Sequence, residues 1–198
     1  MKIAIFGGSF NPVHRGHYEI VRHLICERSL DKVIVVPAYR NPLKDIIPAI
    51  PEKIRWRLLE LTFEGLQKVE LSRFELNRQR VSFTIDTVEH FRERYPQAEI
   101  HLVLGEDAFA QFQHWKRYRR ILEQASILLF RRPASKRKTS CNIPEIEEAR
   151  VDFLGCRISD VSSTDIRNTP LNKVNRKQWI HENAFRFWEQ YQEGKLQV

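Results

Sequence analysis

The sequence predicts a doubly wound α/β fold, in which helices cover both faces of a parallel sheet. Three observations support this fold. Short apolar segments such as Ile3–Phe6 and Val33–Val36 alternate along the chain with segments of helical periodicity. The short segments show no polar alternation, which is typical of strands buried on both faces. The repeated order of strand, helix and strand favours right-handed crossovers, with ligands bound beyond the carboxyl ends of the strands.

The elements follow one another in a regular order. The predicted strands are Ile3–Phe6, Val33–Val36, Val69–Phe74, Ile100–Leu104, Ile127–Phe130 and Val151–Leu154. The predicted helices are Arg15–Arg28, Glu52–Leu66, Thr84–Tyr95 and a short helix from Trp115 to Glu123. By helical spacing, the inward positions are Ile20, Val21 and Leu24 on the first helix, and Ile54, Leu58, Leu61 and Phe63 on the second.

A length of 198 residues favours a single domain over 1–198, in which residues 168–198 form a helical C-terminal segment. Five aromatic residues of this segment are predicted to cover the core, with an oligomer contact as the alternative: Trp179, Phe185, Phe187, Trp188 and Tyr191. The sheet and its helices together give a Rossmann-like architecture.

Charge and cysteine content limit the classes of function. The net charge of +8 fits nucleic acid, a membrane surface or small anionic substrates. No apolar run approaches the roughly 18 residues of a membrane helix, so we expect no membrane partner. Three widely spaced cysteines favour neither disulfides nor zinc and indicate a reducing compartment such as the cytoplasm. The basic segment Arg131–Lys138 is interpreted as a surface loop, with a binding patch as the alternative.

The first strand runs directly into a glycine-rich loop that ends in two histidines, GGSFNPVHRGH over residues 7–17. Gly7 and Gly8 allow a phosphate to approach the main chain, and the next helix begins near His14, where its dipole favours an anion. His14 and His17 share one face of the first turn. The loop is neither a GxGxxG fingerprint nor a P-loop. It predicts a phosphate site with two imidazole donors, and the alternative is a pair of surface histidines.

A second motif lies near the C-terminal end, VSSTDIR over residues 161–167. Serine and threonine are favourable N-caps, and Asp165 suits a first helical turn. One interpretation is an ordinary capped helix. The other is a second phosphate cradle, in which Ser163 and Thr164 supply hydroxyls and Arg167 supplies a charge clamp.

These motifs resemble those of the nucleotidyltransferase superfamily, which transfers a nucleoside monophosphate from ATP or CTP to a phosphate and releases pyrophosphate. The HxGH pair and the second motif resemble its signatures, with Val161 replacing isoleucine in ISSTxIR. Further segments resemble the bacterial nicotinate-nucleotide adenylyltransferase family: SFT at 82–84 with Thr87, GED at 105–107, WKRY at 115–118 with IL at 121–122, and RRP at 131–133. The chain departs from that family at Asn11, where many members have aspartate, and at Leu43, where many have histidine.

The resemblance implies transfer of AMP from ATP to nicotinate mononucleotide, with Mg²⁺ bound to ATP and no metal-ligating side chains. It assigns catalysis to His14, His17 and Arg167. The implied ATP-binding residues are Gly8, Ser9, Phe10, His14, His17, Gly105, Asp107, Ser163, Thr164 and Arg167. The implied residues for the mononucleotide are Lys44, Thr84, Trp115, Lys116 and Arg132.

The sequence also allows other acceptors and other classes of function. The acceptor could be nicotinamide mononucleotide or another phosphate, and the scaffold could instead serve a nucleic-acid-binding or nucleotide-binding regulator. The intact histidines and Ser-Ser-Thr segment argue against such a regulator, because a protein that only binds would not need both, and we therefore do not expect nucleic acid as a partner. Trp115 could pack at a helix start and Asp107 could be an N-cap. The sequence does not decide the oligomeric state.

Overall fold

A computed structural model describes residues 1–40, 48–131, 151–155, 158–169 and 176–196. Within these ranges, six strands form one parallel sheet in the order β3-β2-β1-β4-β5-β6. The strands are β1 (Lys2–Gly8), β2 (Lys32–Pro37), β3 (Val69–Leu71), β4 (Glu99–Gly105), β5 (Ser126–Phe130) and β6 (Val151–Leu154). The predicted doubly wound sheet is therefore confirmed, and its order reverses between β1 and β4, where such folds bind ligands.

Helices connect and cover the strands. They are α1 (Arg15–Glu27), α2 (Glu52–Phe63), α3 (Phe74–Asn77), α4 (Thr84–Arg94), α5 (Glu106–Phe109), α6 (Tyr118–Gln124), α7 (Ser163–Asn168), α8 (Arg176–Trp179) and α9 (Glu182–Gln192). A short 3₁₀ helix spans Phe112–His114. In the part of the chain that the structure describes, no helix is long and apolar enough to cross a bilayer.

The alternating side chains of the central strands divide the core into two layers. Ala4 and Phe6 of β1 belong to one layer, and Ile3 and Ile5 belong to the other. The first layer packs against α1, α2 and α9, and the predicted inward residues Ile20, Val21, Leu24, Ile54, Leu58 and Phe63 are buried there, whereas Leu61 is half-buried. The second layer packs against α4 and α6.

The C-terminal helices extend the first layer, as predicted for core-covering aromatics. Trp188 is 1% exposed, and four other aromatic residues of the segment pack partly buried against the same core: Trp179, Phe185, Phe187 and Tyr191. Helix α9 lies against α2. The assignment of all residues 1–198 to one nucleotidyltransferase domain, with 168–198 as its helical end, stays a prediction.

The third strand is shorter than predicted. The sequence predicts a strand over Val69–Phe74, but β3 ends at Leu71 and Phe74 begins α3. Ser72 donates its backbone N–H to the Val35 carbonyl, and its hydroxyl oxygen accepts from the backbone N–H of Phe74 at 3.3 Å. A serine that bonds the backbone two residues ahead favours a turn over a continued strand.

The sequence places Trp115 at the start of a helix, and this is wrong. Trp115 closes the short 3₁₀ helix in an extended conformation, and α6 begins three residues later, at Tyr118. Arg117, between them, has a φ of 54°, and one left-handed residue is enough to interrupt a helix. The break separates Trp115 from α6 and leaves its ring beside Phe112, at a centroid distance of 5.2 Å.

Candidate active site

A cleft of about 730 Å³ opens at the carboxyl edge of the sheet, beside the reversal between β1 and β4. All of the predicted site residues that the structure describes line it: Gly8, Ser9, Phe10, His14, His17, Thr84, Gly105, Asp107, Trp115, Lys116, Ser163, Thr164 and Arg167. Lys44 and Arg132 lie outside the described residues, as does most of the basic segment Arg131–Lys138. The structure thus brings the two motifs into one cavity, while the role of each residue stays a prediction.

The two histidines are held by the start of α1. His14 is the N-cap of this helix, is 3% exposed, and donates its backbone N–H to Nδ1 of His17 at 3.1 Å. Because Nδ1 of His17 accepts this bond, the neutral ring carries its proton on Nε2. The two ring centroids lie 3.7 Å apart. Local backbone geometry therefore fixes the orientation and the tautomer of His17.

Phe10 supports the histidine pair from the glycine-rich loop. Its backbone has a φ of 42°, a left-handed conformation that turns the chain after β1. The buried Phe10 ring meets His17 edge-on at a centroid distance of 4.9 Å and meets Phe6 at 5.5 Å. A Cβ at Gly8 would lie 3.2 Å from the Phe10 ring, so the small residue at this position leaves room for the ring.

Gly16 lies between the two histidines, at a position where a side chain would be crowded. A Cβ at Gly16 would lie 3.0 Å from Cγ2 of Ile158 and 3.2 Å from the ring of His14. Both distances are tighter than ordinary van der Waals contact. The glycine of the HxGH motif therefore keeps the His14 ring in place.

We expect Gly16→Ala to lower kcat about tenfold or more, because displacing a catalytic ring by a fraction of an ångström disrupts positioning. Steady-state turnover measures this effect. Gly155→Ala is the matched control, since a Cβ at Gly155 meets no atom within 4 Å. Unchanged turnover in a folded Gly16→Ala protein would show that the glycine does not position His14.

The second motif docks directly onto the first. Ser162 caps α7 in a reciprocal arrangement with Asp165, whose backbone N–H donates to the serine hydroxyl at 3.1 Å. The Ser163 hydroxyl donates to the carbonyl of Pro12 at 2.8 Å. Arg167 donates to the carbonyl of Asn11 and to the Thr164 hydroxyl. The predicted capped helix is confirmed, and these bonds bring its hydroxyls and guanidinium beside the glycine-rich loop.

Arg55 supports the glycine-rich loop through hydrogen bonds, and the sequence analysis missed it. This α2 residue is 2% exposed, and its Nη1 donates to the carbonyl of Ser9 at 2.7 Å and to the carbonyl of Ala38 at 2.9 Å. Burial lowers the pKa of Arg55. One buried cation thus joins the segments that follow β1 and β2. Its helical spacing to Leu59 and Thr62, which are also buried, was the signal available in the sequence.

Gly105 and Asp107 lie where β4 ends. Gly105 is the N-cap of α5, so the alternative that Asp107 serves as an N-cap is wrong. A Cβ at Gly105 would lie 2.6 Å from Oδ1 of Asp107 and 3.1 Å from the Phe130 ring. The absence of a side chain at Gly105 allows the Asp107 carboxylate to lie against the strand end, inside the cleft.

Another part of the cleft is lined by the start of α4 and by the loop before α6. We call this the pyridine end, because the sequence resemblance implies that Thr84, Trp115 and Lys116 bind the mononucleotide, whose base is a pyridine ring. Thr84 is the first residue of α4, and Nζ of Lys116 lies 4.2 Å above the Phe83 ring. Glu75 also lines this end, although the sequence did not single it out.

The side chains of the cleft are suited to anionic, phosphate-bearing ligands. Imidazoles, hydroxyls, a guanidinium and a helix N-terminus converge on it, and all of these can donate hydrogen bonds to phosphate oxygens. Within the described ranges, no group of three or more His, Cys, Asp or Glu side chains is placed to hold a metal ion. The arrangement can bind and polarise a polyphosphate.

In doubly wound parallel sheets, a cleft at the carboxyl ends of the strands is the usual place for a nucleotide to bind. The sequence model of the cytidylyltransferase-like family matches residues 5–169, and the chain belongs to this family.

Two curated relatives carry a more specific name than the family. The chain is 37% identical over 174 residues to a probable nicotinate-nucleotide adenylyltransferase of Thermotoga sp. (strain RQ2), a match that covers 84% of each chain. It is 30% identical over 194 residues to a protein of the same name from Clostridium tetani, covering 96% of this chain and 97% of the relative.

A solved structure has a similar fold. The Plasmodium falciparum nicotinic acid mononucleotide adenylyltransferase, complexed with NaAD, superposes with a TM-score of 0.73 at 19% sequence identity. The match covers 99% of this chain and 98% of that one. At this identity the likeness is one of fold.

Proposed function

We propose that the protein transfers AMP from ATP to nicotinate mononucleotide, giving nicotinate adenine dinucleotide and pyrophosphate. One observation carries the proposal: a single cleft joins the histidine pair and the Arg167 segment to an end lined by Trp115 and Lys116. The first groups suit a triphosphate, and an indole face suits an electron-poor pyridine ring. The names of the curated relatives support the same reaction.

The reaction needs positioning and charge stabilisation rather than a protein nucleophile. An oxygen of the 5′-phosphate of the mononucleotide attacks the α-phosphorus of ATP and forms the new P–O bond. The bond from the α-phosphorus to the bridging oxygen breaks in line, and pyrophosphate leaves with the electron pair. Because the attacking phosphate is already an anion, the protein has to align the two phosphates and stabilise the negative charge that develops between them.

The proposal gives each of these groups a task. His17, whose Nε2 carries the proton, donates to a phosphate oxygen, and the adjacent His14 ring supports the same charge. Ser163, Thr164 and Arg167 hold the outer phosphates, and the backbone of Gly8, Ser9 and Phe10 contacts them from the loop side. Gly105 and Asp107 contact a ribose. Backbone amides near Thr84 and Lys116 receive the nicotinate carboxylate.

Mg²⁺ fits this site as a partner of ATP. The cleft presents hydrogen-bond donors, which suit phosphate oxygens, so we propose that the ion is coordinated chiefly by the triphosphate and water. Bound there, it would neutralise charge on the phosphates. The side chains of Ser163, Thr164 and Arg167 would then orient the charged nucleotide.

Net charge and cysteine content support the proposed substrates and cellular compartment. The net charge of +8 favours the approach of small anionic substrates such as ATP and the mononucleotide. We place the reaction in the cytoplasm, on the basis of an odd number of widely spaced cysteines. Of these, Cys26 is an exposed free thiol, and Cys141 and Cys156 lie outside the described residues.

Trp115→Ala tests the pyridine end of the cleft. We expect the KM for nicotinate mononucleotide to rise about fivefold, because one aromatic stacking partner contributes on the order of 1 kcal/mol. The KM for ATP should stay within about twofold. Steady-state kinetics with each substrate varied in turn gives both constants. A change confined to the KM for ATP would contradict the assignment of Trp115 to the mononucleotide.

The acceptor is tested in parallel reactions. Purified protein is mixed with ATP, Mg²⁺ and either nicotinate mononucleotide or nicotinamide mononucleotide, and pyrophosphate release is followed. Rapid release with the acid and slow release with the amide would support the proposal. Release with the amide alone would keep the chemistry and change the acceptor. Release with neither, from a folded protein that binds ATP, would refute the proposed acceptor.

A further inference from the structure

A buried carboxyl group lies at the pyridine end of the cleft and has no part in the proposed reaction. Glu75, on α3, is 7% exposed and lines the cleft together with Thr84, Trp115 and Lys116. Its Oε1 accepts a hydrogen bond from the Thr87 hydroxyl at 2.6 Å. A charged carboxylate so far from solvent is costly unless a cation pairs with it.

The cations on the segments around Glu75 have partners of their own. Arg78, directly after α3, pairs with Asp86 of α4 at 3.2 Å, and Nζ of Lys116 lies over the Phe83 ring. Further charged or titratable groups on the packed elements are Arg73, which pairs with Glu52, His90, which stacks on Phe74, and Lys32, at the amino end of β2. Burial raises the pKa of Glu75 and the charge of Asp86 raises it further, while hydrogen bonds from Thr87 and Ser82 lower it.

We propose that Glu75 is a specificity-determining residue, whose uncharged acid form allows this end of the cleft to accept a pyridine ring that bears a carboxylate. This inference rests on the proposed function. An ionised Glu75 would place a second negative charge at the end that receives the nicotinate carboxylate, and like charges repel strongly in a poorly solvated pocket. A neutral pyridine amide would meet no such repulsion.

The proposal predicts how substrate preference changes with pH. Below the raised pKa of Glu75 the side chain is neutral and the acid substrate is favoured. As the pH rises through that pKa the side chain becomes negative, and the preference for the acid over the amide falls. Both mononucleotides carry the same 5′-phosphate and react with the same ATP, so titration of those groups cancels in the ratio of the two kcat/KM values.

The experiment measures this ratio from about pH 5.5 to about pH 9.5 for the full chain and for Glu75→Gln, which is uncharged at every pH. We expect the ratio of the wild-type protein to fall about tenfold as Glu75 ionises. The ratio of Glu75→Gln should stay at the low-pH value of the wild type. Glu89→Gln is the matched control: Glu89 lies on α4 and pairs with Arg120 at 3.7 Å, so its profile should follow the wild type.

A wild-type ratio independent of pH, or the same pH profile in Glu75→Gln, would overturn the proposal. Thr87→Val is the second variant if Glu75→Gln does not fold. Loss of the Thr87 hydroxyl removes a bond that lowers the pKa of Glu75, so the fall should move to higher pH, and an unmoved fall would count against Glu75. Absence of turnover with both mononucleotides would refute the proposed function, whereas turnover at a constant ratio would refute only the role of Glu75.

Discussion

Replacing His17 with alanine is expected to lower kcat about 100-fold or more while the protein stays folded. In the proposed mechanism, Nε2–H of His17 donates to a phosphate oxygen whose negative charge grows as the P–O bond breaks. Loss of one such preorganised donor typically costs a factor of about 100 to 1000 in turnover. The KM for ATP should change less, because the bond strengthens mainly in the transition state.

His23→Ala is the control for this experiment. His23 lies on the same helix, is half-buried, and is absent from the lining of the cleft. The His23→Ala substitution removes the same kind of side chain about two turns of helix from the start of α1. We expect its turnover to stay within about twofold of the wild type. Near-normal turnover of a folded His17→Ala protein would remove that histidine from catalysis.

Replacing Arg55 with methionine is expected to weaken both folding and nucleotide binding. The substitution keeps an apolar stem but removes the donor to the carbonyls of Ser9 and Ala38. Loss of hydrogen bonds from a charged group to partly buried carbonyls costs about 2 kcal/mol of unfolding free energy. Because Ser9 belongs to the loop proposed to bind phosphate, we also expect the KM for ATP to rise about tenfold.

Arg57→Met separates this effect from a general loss of charge. Arg57 lies on the same helix, half-exposed, and pairs with Glu60 at 3.0 Å. Exposed pairs of this kind contribute less than about 1 kcal/mol. Chemical denaturation gives the unfolding free energies, and steady-state kinetics gives the KM values. Equal effects of the two substitutions would contradict the role of Arg55 as a brace of the loop.

The arrangement of the sheet could be predicted because its strands are buried on both faces. Segments such as Ile3–Phe6 and Ile127–Phe130 are apolar throughout, and the alternation with helices then restricts the topology. The boundaries of individual strands and helices were harder to predict from the sequence. The end of β3 depends on a hydrogen bond made by Ser72, and the start of α6 depends on the left-handed conformation of Arg117. Neither conformation is dictated by residue type.

The grouping of the candidate site could be predicted for a different reason. The glycine-rich loop and the second motif each contain several residues of types that favour phosphate binding. Parallel strands bring their carboxyl ends to the same edge of the sheet. Arg55 and Glu75 belong to no such motif, and the only signal for Arg55 is its helical spacing to Leu59 and Thr62. An isolated charged residue in a helix is usually exposed, and only the packing of α2 and α3 shows that these two are buried beside the cleft. The burial of Arg55 and Glu75 thus became clear only from the three-dimensional structure.

In the proposed reaction, AMP passes directly from ATP to the phosphate of nicotinate mononucleotide. The most direct test uses ATP radiolabelled at the α-phosphate, incubated with the full chain, Mg²⁺ and nicotinate mononucleotide, followed by separation of protein and nucleotides. We predict that the label appears in nicotinate adenine dinucleotide, with none bound to the denatured protein. Label retained covalently on the protein, or released as free AMP with no labelled dinucleotide, would contradict the account.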